Sequence, residues 1–296
     1  MDLASDRMTR WLKAGDHTLA VDGLPLLMGI VNITPNSFAD GGRYLAPQAA
    51  IDHALRLADE GADLLDLGAE STRPGAKPVP AEDELARLLP VLRELRRRVS
   101  IPISIDTYKA AVAGPCLAEG ASMINDISGL SFDPVMGDTV AASTAALCLM
   151  HTPASPLTMQ RRAVYGDVVR EVASTLTRAV STAEAAGVVR DRLLIDPGLG
   201  FGKTAEHNWA LLRDLDTLHA LGLPVLVGAS RKSFIGAALV QGRSGPAPGE
   251  PWPVAERLEG SLAIAVWCAL QRVAVLRVHD VDATARVLKI VQQLIG

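Results

Sequence analysis

Residues 101–151 read IPISIDTYKAAVAGPCLAEGASMINDISGLSFDPVMGDTVAASTAALCLMH. Three short apolar runs, Ile101–Asp106, Met123–Ile127 and Ala146–Met150, are separated by two longer runs of helical pattern, Lys109–Glu119 and Pro134–Ala142. A strand covered on both faces reads as a continuous apolar run, and parallel strands need a crossover between them. The alternation continues outward from this stretch. Strand-like runs recur at Leu26–Ile33, Asp63–Gly68, Leu193–Asp196, Pro224–Gly228 and Val275–Val278. Helical patterns recur at Gln48–Glu60, Glu82–Arg98, Tyr165–Ala186, His207–Ala220, Leu258–Arg272 and Ala283–Leu294.

Eight strand–helix units over this length predict an α/β chain folded as a single (β/α)8 TIM barrel, which takes about 250 residues. The barrel covers residues 26–296 and a short N-terminal extension covers 1–25, expected to be an edge strand or a cap on the barrel bottom. A doubly wound open sheet is the alternative, and the count of eight favours the barrel. The Pro/Gly-rich stretch Gln241–Pro253 falls inside the seventh unit and reads as a long loop, so no break divides the chain into two domains.

Composition sets limits on function. Apolar residues make up 49% and charged residues 21% of 296, the balance of a chain that folds around a core. A net charge of −4 argues against a nucleic-acid partner, while leaving room for a small anionic substrate held by a few local Arg and Lys. Cys116, Cys148 and Cys268 lie far apart and read as reduced, buried thiols of a cytoplasmic protein. The charged N-terminus shows no signal peptide, and the longest apolar run, Leu262–Leu270, is far short of the roughly 20 residues that span a bilayer.

The informative polar residues fall at strand ends: Asn32, Glu70 with Thr72 and Arg73, Asp106, Asn125, His151, Asp196, Lys232, and Arg277 with His279. In a barrel these ends share the face that carries active sites. A single such residue can be a helix cap, but so many on one rim exceed what capping explains. Asp106 and Asp196 accept hydrogen bonds, Asn125 both donates and accepts, and Lys232 donates. Together they complement a flat heterocycle with an amino–amide edge. Arg73, Arg277, His279 and Thr72 form a second set, suited to a phosphate-like group. The segment Gly198–Thr204, GLGFGKT, ends like a phosphate-binding loop, but Pro197 stands where the first glycine is needed, so it reads as a glycine-rich strand-to-helix turn. The six histidines form no metal-binding pattern.

These residues sit in blocks that resemble the dihydropteroate synthases, a pterin-binding (β/α)8 family. The blocks are Met28–Gly42, Gly68–Gly75, Ser104–Thr107, Ile124–Ile127, Leu149–His151, Asp196–Lys203, Ser230–Ser233, Arg257–Ser261 and Arg277–Asp280, in family order from about residue 26 onward. The resemblance implies that hydroxymethyl-dihydropterin pyrophosphate is joined to p-aminobenzoate, releasing pyrophosphate. It implies that Asp106, Asn125, Asp196 and Lys232 bind the pterin, with Met150 and Phe201 lining its pocket. Thr72, Arg73, Arg277 and His279 would hold the pyrophosphate, and Asn32 would contact Mg2+ together with it. Phe38, Pro74 and Ser233 would form the p-aminobenzoate pocket, and Asp40, Arg73, Asp106 and Lys232 would be the catalytic set. A homodimer is implied as well. Asn36 and Ala39 stand where the family commonly has Asp and Ser, and Ala69 where it has Gly. Two other readings compete: a non-catalytic pterin-binding paralogue, supported by Asn36 and Ala39, and a methyltetrahydrofolate-binding methyltransferase domain. Arg73, Arg277 and the Ser230–Lys232 block count against the latter, which needs no pyrophosphate site.

Overall fold

The computed structural model describes residues 10–33, 45–240 and 251–295. Its strands are β1 (Trp11–Ala14), β2 (His17–Ala20), β3 (Leu26–Asn32), β4 (Leu64–Gly68), β5 (Ile103–Asp106), β6 (Met123–Asp126), β7 (Ala146–Met150), β8 (Leu193–Asp196), β9 (Leu226–Val227) and β10 (Val275–Val278). The helices are α1 (Leu45–Asp59), α2 (Ala81–Arg98), α3 (Ala110–Ala118), α4 (Met136–Ala141), α5 (Val168–Ala185), α6 (Ala205–Arg213), α7 (Asp216–His219), α8 (Ser233–Leu239), α9 (Leu258–Leu270) and α10 (Val281–Ile295).

Strands β3 to β10 form one parallel sheet in the order β8-β7-β6-β5-β4-β3-β10-β9. Its two outer strands meet through a parallel bridge between Ile195 and Val225, so the sheet closes into a barrel. The pleat sends alternate residues inward and outward. Outward residues such as Leu65, Leu67, Ile105 and Leu147 are fully buried under the helices in one large apolar layer. Inward residues near the strand starts, including Met28, Leu64, Met123, Leu194, Leu226 and Val275, form a second, smaller core inside the barrel.

The N-terminal hairpin completes that inner core. β1 and β2 pair antiparallel across a turn at Gly15, whose φ of +61° suits glycine. Leu12 and Ala14 are fully buried against the inner residues, and Gly15 N donates to Thr144 O at 3.0 Å. The hairpin thus plugs the end of the barrel opposite the rim, where the strand starts would otherwise expose apolar side chains.

Two elements differ from the sequence reading. The helix expected over His207–Ala220 is two helices, because Asp214 leaves the helical conformation and its Oδ1 accepts from Thr217 N at 3.2 Å and Thr217 Oγ1 at 2.9 Å. That side chain caps the next turn instead of continuing the first. A further helix, α8, begins at Ser233, directly after the strand-end loop of β9.

Candidate active site

The inward positions change character toward the strand ends. Asp66 and Ser104 lie in register on β4 and β5, Asp106 and Asn125 on β5 and β6, and Met150 and Asp196 on β7 and β8. All six are buried. Arg277, inward on β10, reaches across the barrel. Its Nε donates to Asp66 Oδ2 at 2.6 Å and its Nη2 to Asp106 Oδ2 at 2.8 Å. Asn125 Nδ2 donates to the same Asp66 oxygen at 3.2 Å. The other oxygens of these three groups, Asp66 Oδ1, Asp106 Oδ1 and Asn125 Oδ1, are buried with no hydrogen-bond partner among the described residues. Buried acceptors are almost always paired, so these three mark a place built to receive donors.

Electrostatics follow from burial. Desolvation pushes Asp106 up to about 7, with Arg277 opposing and Asp66 reinforcing the shift. Asp196 is also raised by burial, against the pull of Lys232 and of the Gly198 N–H, which donates to its Oδ1 at 2.7 Å. Lys232 is lowered to about 8, mainly by burial, while Asp196 resists. Its Nζ donates to Leu199 O and sits 4.6 Å from the centroid of the Phe201 ring, a cation–π contact.

The rim above holds a different chemistry. His279 is lowered to about 4 by burial and then by Arg277 and Arg231, with Arg73 contributing, so it is neutral near pH 7. Its Nδ1 lies 3.0 Å from Ser230 Oγ. The loop after β9 is braced: Arg231 pairs with Asp280 at 2.8 Å despite a φ of +57°, its N–H donates to Ser261 Oγ at 2.9 Å, and Arg257 Nη1 donates to Arg231 O at 2.9 Å. Asn32 ends β3 half-buried, Thr72 is half-buried, and Arg73 and Pro74 are exposed on the loop after β4. That loop is anchored at both roots by Glu70, which accepts from Val79 N at 2.8 Å, Tyr108 OH at 2.6 Å and Lys109 Nζ at 2.5 Å. Beside it, Pro74, Gly200, Lys203, Asn208, Ser233 and Phe234 line a cavity of about 460 Å3.

The structure therefore brings Asp106, Asn125, Met150, Asp196, Phe201 and Lys232 to one end of the barrel, and places Pro74 and Ser233 on one cavity. Arg277, grouped by sequence with the rim cations, contacts the interior carboxylates instead. Phe38 and Asp40 lie outside the described residues, as do Asn36, Ala39 and most of the Gln241–Pro253 loop. Sequence reading passed over Asp66, although a carboxylate inside Leu64-Leu65-Asp66-Leu67 signals an inward polar position. It also passed over Lys203, which is buried.

Comparison with known proteins agrees with this geometry. Residues 28–279 match the family described as pterin binding enzyme. A dihydropteroate synthase of Synechocystis sp. is 42% identical over 99% of this chain and 98% of its own. The dihydropteroate synthase of Xanthomonas albilineans solved with 4-aminobenzoic acid superposes with a TM-score of 0.88 at 42% identity, covering 98% of this chain and 99% of the other. A structure of the Xanthomonas albilineans enzyme in complex with 7,8-dihydropteroate gives 0.83 at 39% identity, covering 97% of this chain and 99% of the other. With buried acceptors at the strand ends, a cationic rim and an adjoining cavity, the chain belongs to the pterin-binding enzymes, in the dihydropteroate synthase family.

Proposed function

We propose that the rim of this barrel carries out the dihydropteroate synthase reaction, joining hydroxymethyl-dihydropterin pyrophosphate to p-aminobenzoate with release of pyrophosphate. The observation that carries the reading is the trio of unpartnered buried oxygens on Asp66, Asp106 and Asn125, with Asp196 alongside. A pterin's amino and ring N–H groups supply the donors these acceptors require. Lys232 donates to the carbonyl of the same heterocycle, and Phe201 and Met150 form its apolar walls.

The anion lies toward the rim, with Thr72, Arg73, His279 and the unbonded edge of Arg277. Burial lowers His279 first and Arg277 and Arg231 add to it, and an arriving pyrophosphate offsets only the cationic part of that shift, favouring the protonated imidazole. The C–O bond to pyrophosphate breaks with its electron pair leaving on oxygen, and the pterin delocalises the resulting positive charge. The arylamine nitrogen, held in the cavity of Pro74 and Ser233, forms the new C–N bond and releases a proton. Guanidinium groups placed where charge gathers on the leaving group lower the barrier without reorganising. Phe38 and Asp40, which follow β3 in the sequence, complete the arylamine side of the proposal.

Asn32 suits a Mg2+ ion, because magnesium keeps waters and substrate phosphate oxygens and needs few protein ligands. No cluster of three or more His, Cys, Asp or Glu that could hold a metal exists among the described residues, which fits a metal carried largely by the substrate. When bound, the ion would neutralise charge on the departing pyrophosphate. We further propose a homodimer, supported by exposed Trp267 and Leu270 on α9 and Ile290 and Leu294 on α10. A cytoplasmic location is proposed from three free, buried cysteines. No helix among the described residues is long and apolar enough to cross a membrane.

Incubation with both substrates and Mg2+, followed by chromatography, tests the assignment. Dihydropteroate and pyrophosphate in equal amounts are expected. Bound pterin without product would favour the non-catalytic paralogue instead.

A further inference from the structure

The GLGFGKT segment that mimics a phosphate loop in sequence does something else in three dimensions. Thr204 caps α6, its Oγ1 accepting from His207 N at 3.2 Å, and Lys203 turns inward, with 4% of its surface exposed. Lys203 Nζ donates to Gly198 O at 2.9 Å and Phe201 O at 3.1 Å, and lies 2.9 Å from His151 Nδ1. A longer contact reaches His151 O at 3.4 Å. An ammonium has three protons and no acceptor, so these neutral partners use all of them, with His151 accepting on Nδ1. Burial pushes His151 down to about 3, with Lys203 adding to the shift, consistent with a neutral ring.

Burying an ammonium among neutral groups is costly, and burial pushes Lys203 well below its usual range. What the contacts achieve is visible one bond further out. Gly198 N donates to Asp196 Oδ1, Leu199 O accepts from Lys232, and the Phe201 ring lies under the Lys232 ammonium. Three groups assigned to the pterin are therefore aimed by one turn. The turn seats tightly on the end of β7: Gly198 has φ +67°, and a Cβ there would lie 2.0 Å from His151 O. Lys203 is the tie between them, because its amine bonds two points of the turn and the residue that follows β7.

We propose that Lys203 is a positioning residue for the pterin half of the reaction, fastening the Gly198–Phe201 turn to His151 and so fixing Asp196, Phe201 and Lys232. Although Lys203 borders the Pro74–Ser233 cavity, its amine is committed to the turn. The inference rests on the pterin reading above.

The test uses the full chain with Lys203→Met, Lys203→Gln and His151→Leu. Each is titrated with 6-hydroxymethylpterin by fluorescence quenching and assayed for the KM of p-aminobenzoate. Losing these bonds at a buried site should weaken pterin binding at least about tenfold in Lys203→Met. Lys203→Gln, which keeps a donor, and His151→Leu, which removes one anchor, should weaken it less. In all three the KM of p-aminobenzoate should stay within about twofold, a split that general loss of folding would not produce. Unchanged pterin affinity in Lys203→Met, beside normal wild-type binding, would overturn the proposal. Equal losses for both ligands in all three variants would overturn it too. Failure of the wild type to bind the pterin would remove the underlying reading instead, and this proposal with it.

Discussion

Replacing Arg277 by Met removes the guanidinium that bonds both Asp66 and Asp106 inside the barrel. Breaking a buried ion pair by deleting one partner costs about 3–5 kcal/mol, because the remaining charge stays desolvated and uncompensated. Here two carboxylates are stranded, and Asp106 can relieve its share of the cost by taking up a proton. Burial already raises Asp106 to about 7 while Arg277 opposes the shift, so its loss moves the folded value higher still. A carboxyl group whose folded pKa exceeds its unfolded one binds more protons folded than unfolded across that window. Its contribution to stability therefore falls as pH rises through it. The deficit should be smaller at about pH 5.5, where Asp106 is protonated, than at about pH 8.5. At about 2–4 °C per kcal/mol, the conversion for chains a little shorter than this, the deficit in alkaline buffer is about 6–20 °C in Tm. Circular-dichroism melts at fixed ionic strength measure it. The double variant Arg277→Met/Asp66→Asn should recover part of the loss, because it removes both members of one pair. An equal deficit at both pH values, or one under about 2 °C, would refute a buried charge cluster at the barrel end.

Other outcomes follow from the same geometry. Asp196→Ala leaves pterin donors unpaired in a closed site, which at about 3 kcal/mol predicts a loss of affinity of about 150-fold by fluorescence titration. Pterin binding should strengthen as pH rises through about 7, where Asp106 becomes a full acceptor, and Asp106→Asn should flatten that profile in the same titration. Ser233→Tyr fills part of the cavity beside Pro74, and should raise the KM of p-aminobenzoate about tenfold while bare pterin affinity stays unchanged.

Much of this architecture was legible in the sequence because a parallel barrel writes itself as repeated units. Ala146–Met150, Leu193–Asp196 and Val275–Val278 are apolar enough to mark their own limits, and the structure reproduces all three. Polar residues at strand ends were also legible, since Asp106, Asn125 and Asp196 close runs that otherwise bury. What escaped depends on side-chain direction. Asp66 sits inside a strand, and only the barrel's register shows that it faces Asp106 and Arg277. Arg277 is long enough to serve the rim or the interior, and only the structure shows that its Nε and Nη2 bond the interior carboxylates. Lys203 resembles a phosphate ligand until the fold turns it inward. The N-terminal hairpin has four-residue strands with little alternation, so its part in plugging the barrel depends on tertiary packing against Met28, Leu64 and Met123.

The measurement that bears most directly on the central claim is pyrophosphate release from the pterin pyrophosphate with Mg2+, with and without p-aminobenzoate, in wild type and Asp196→Ala. The account predicts sustained release in the wild type, matched by dihydropteroate when the arylamine is present, and release reduced to background in the variant. Absence of release from a wild type that still binds the pterin, or undiminished release in Asp196→Ala, would contradict it.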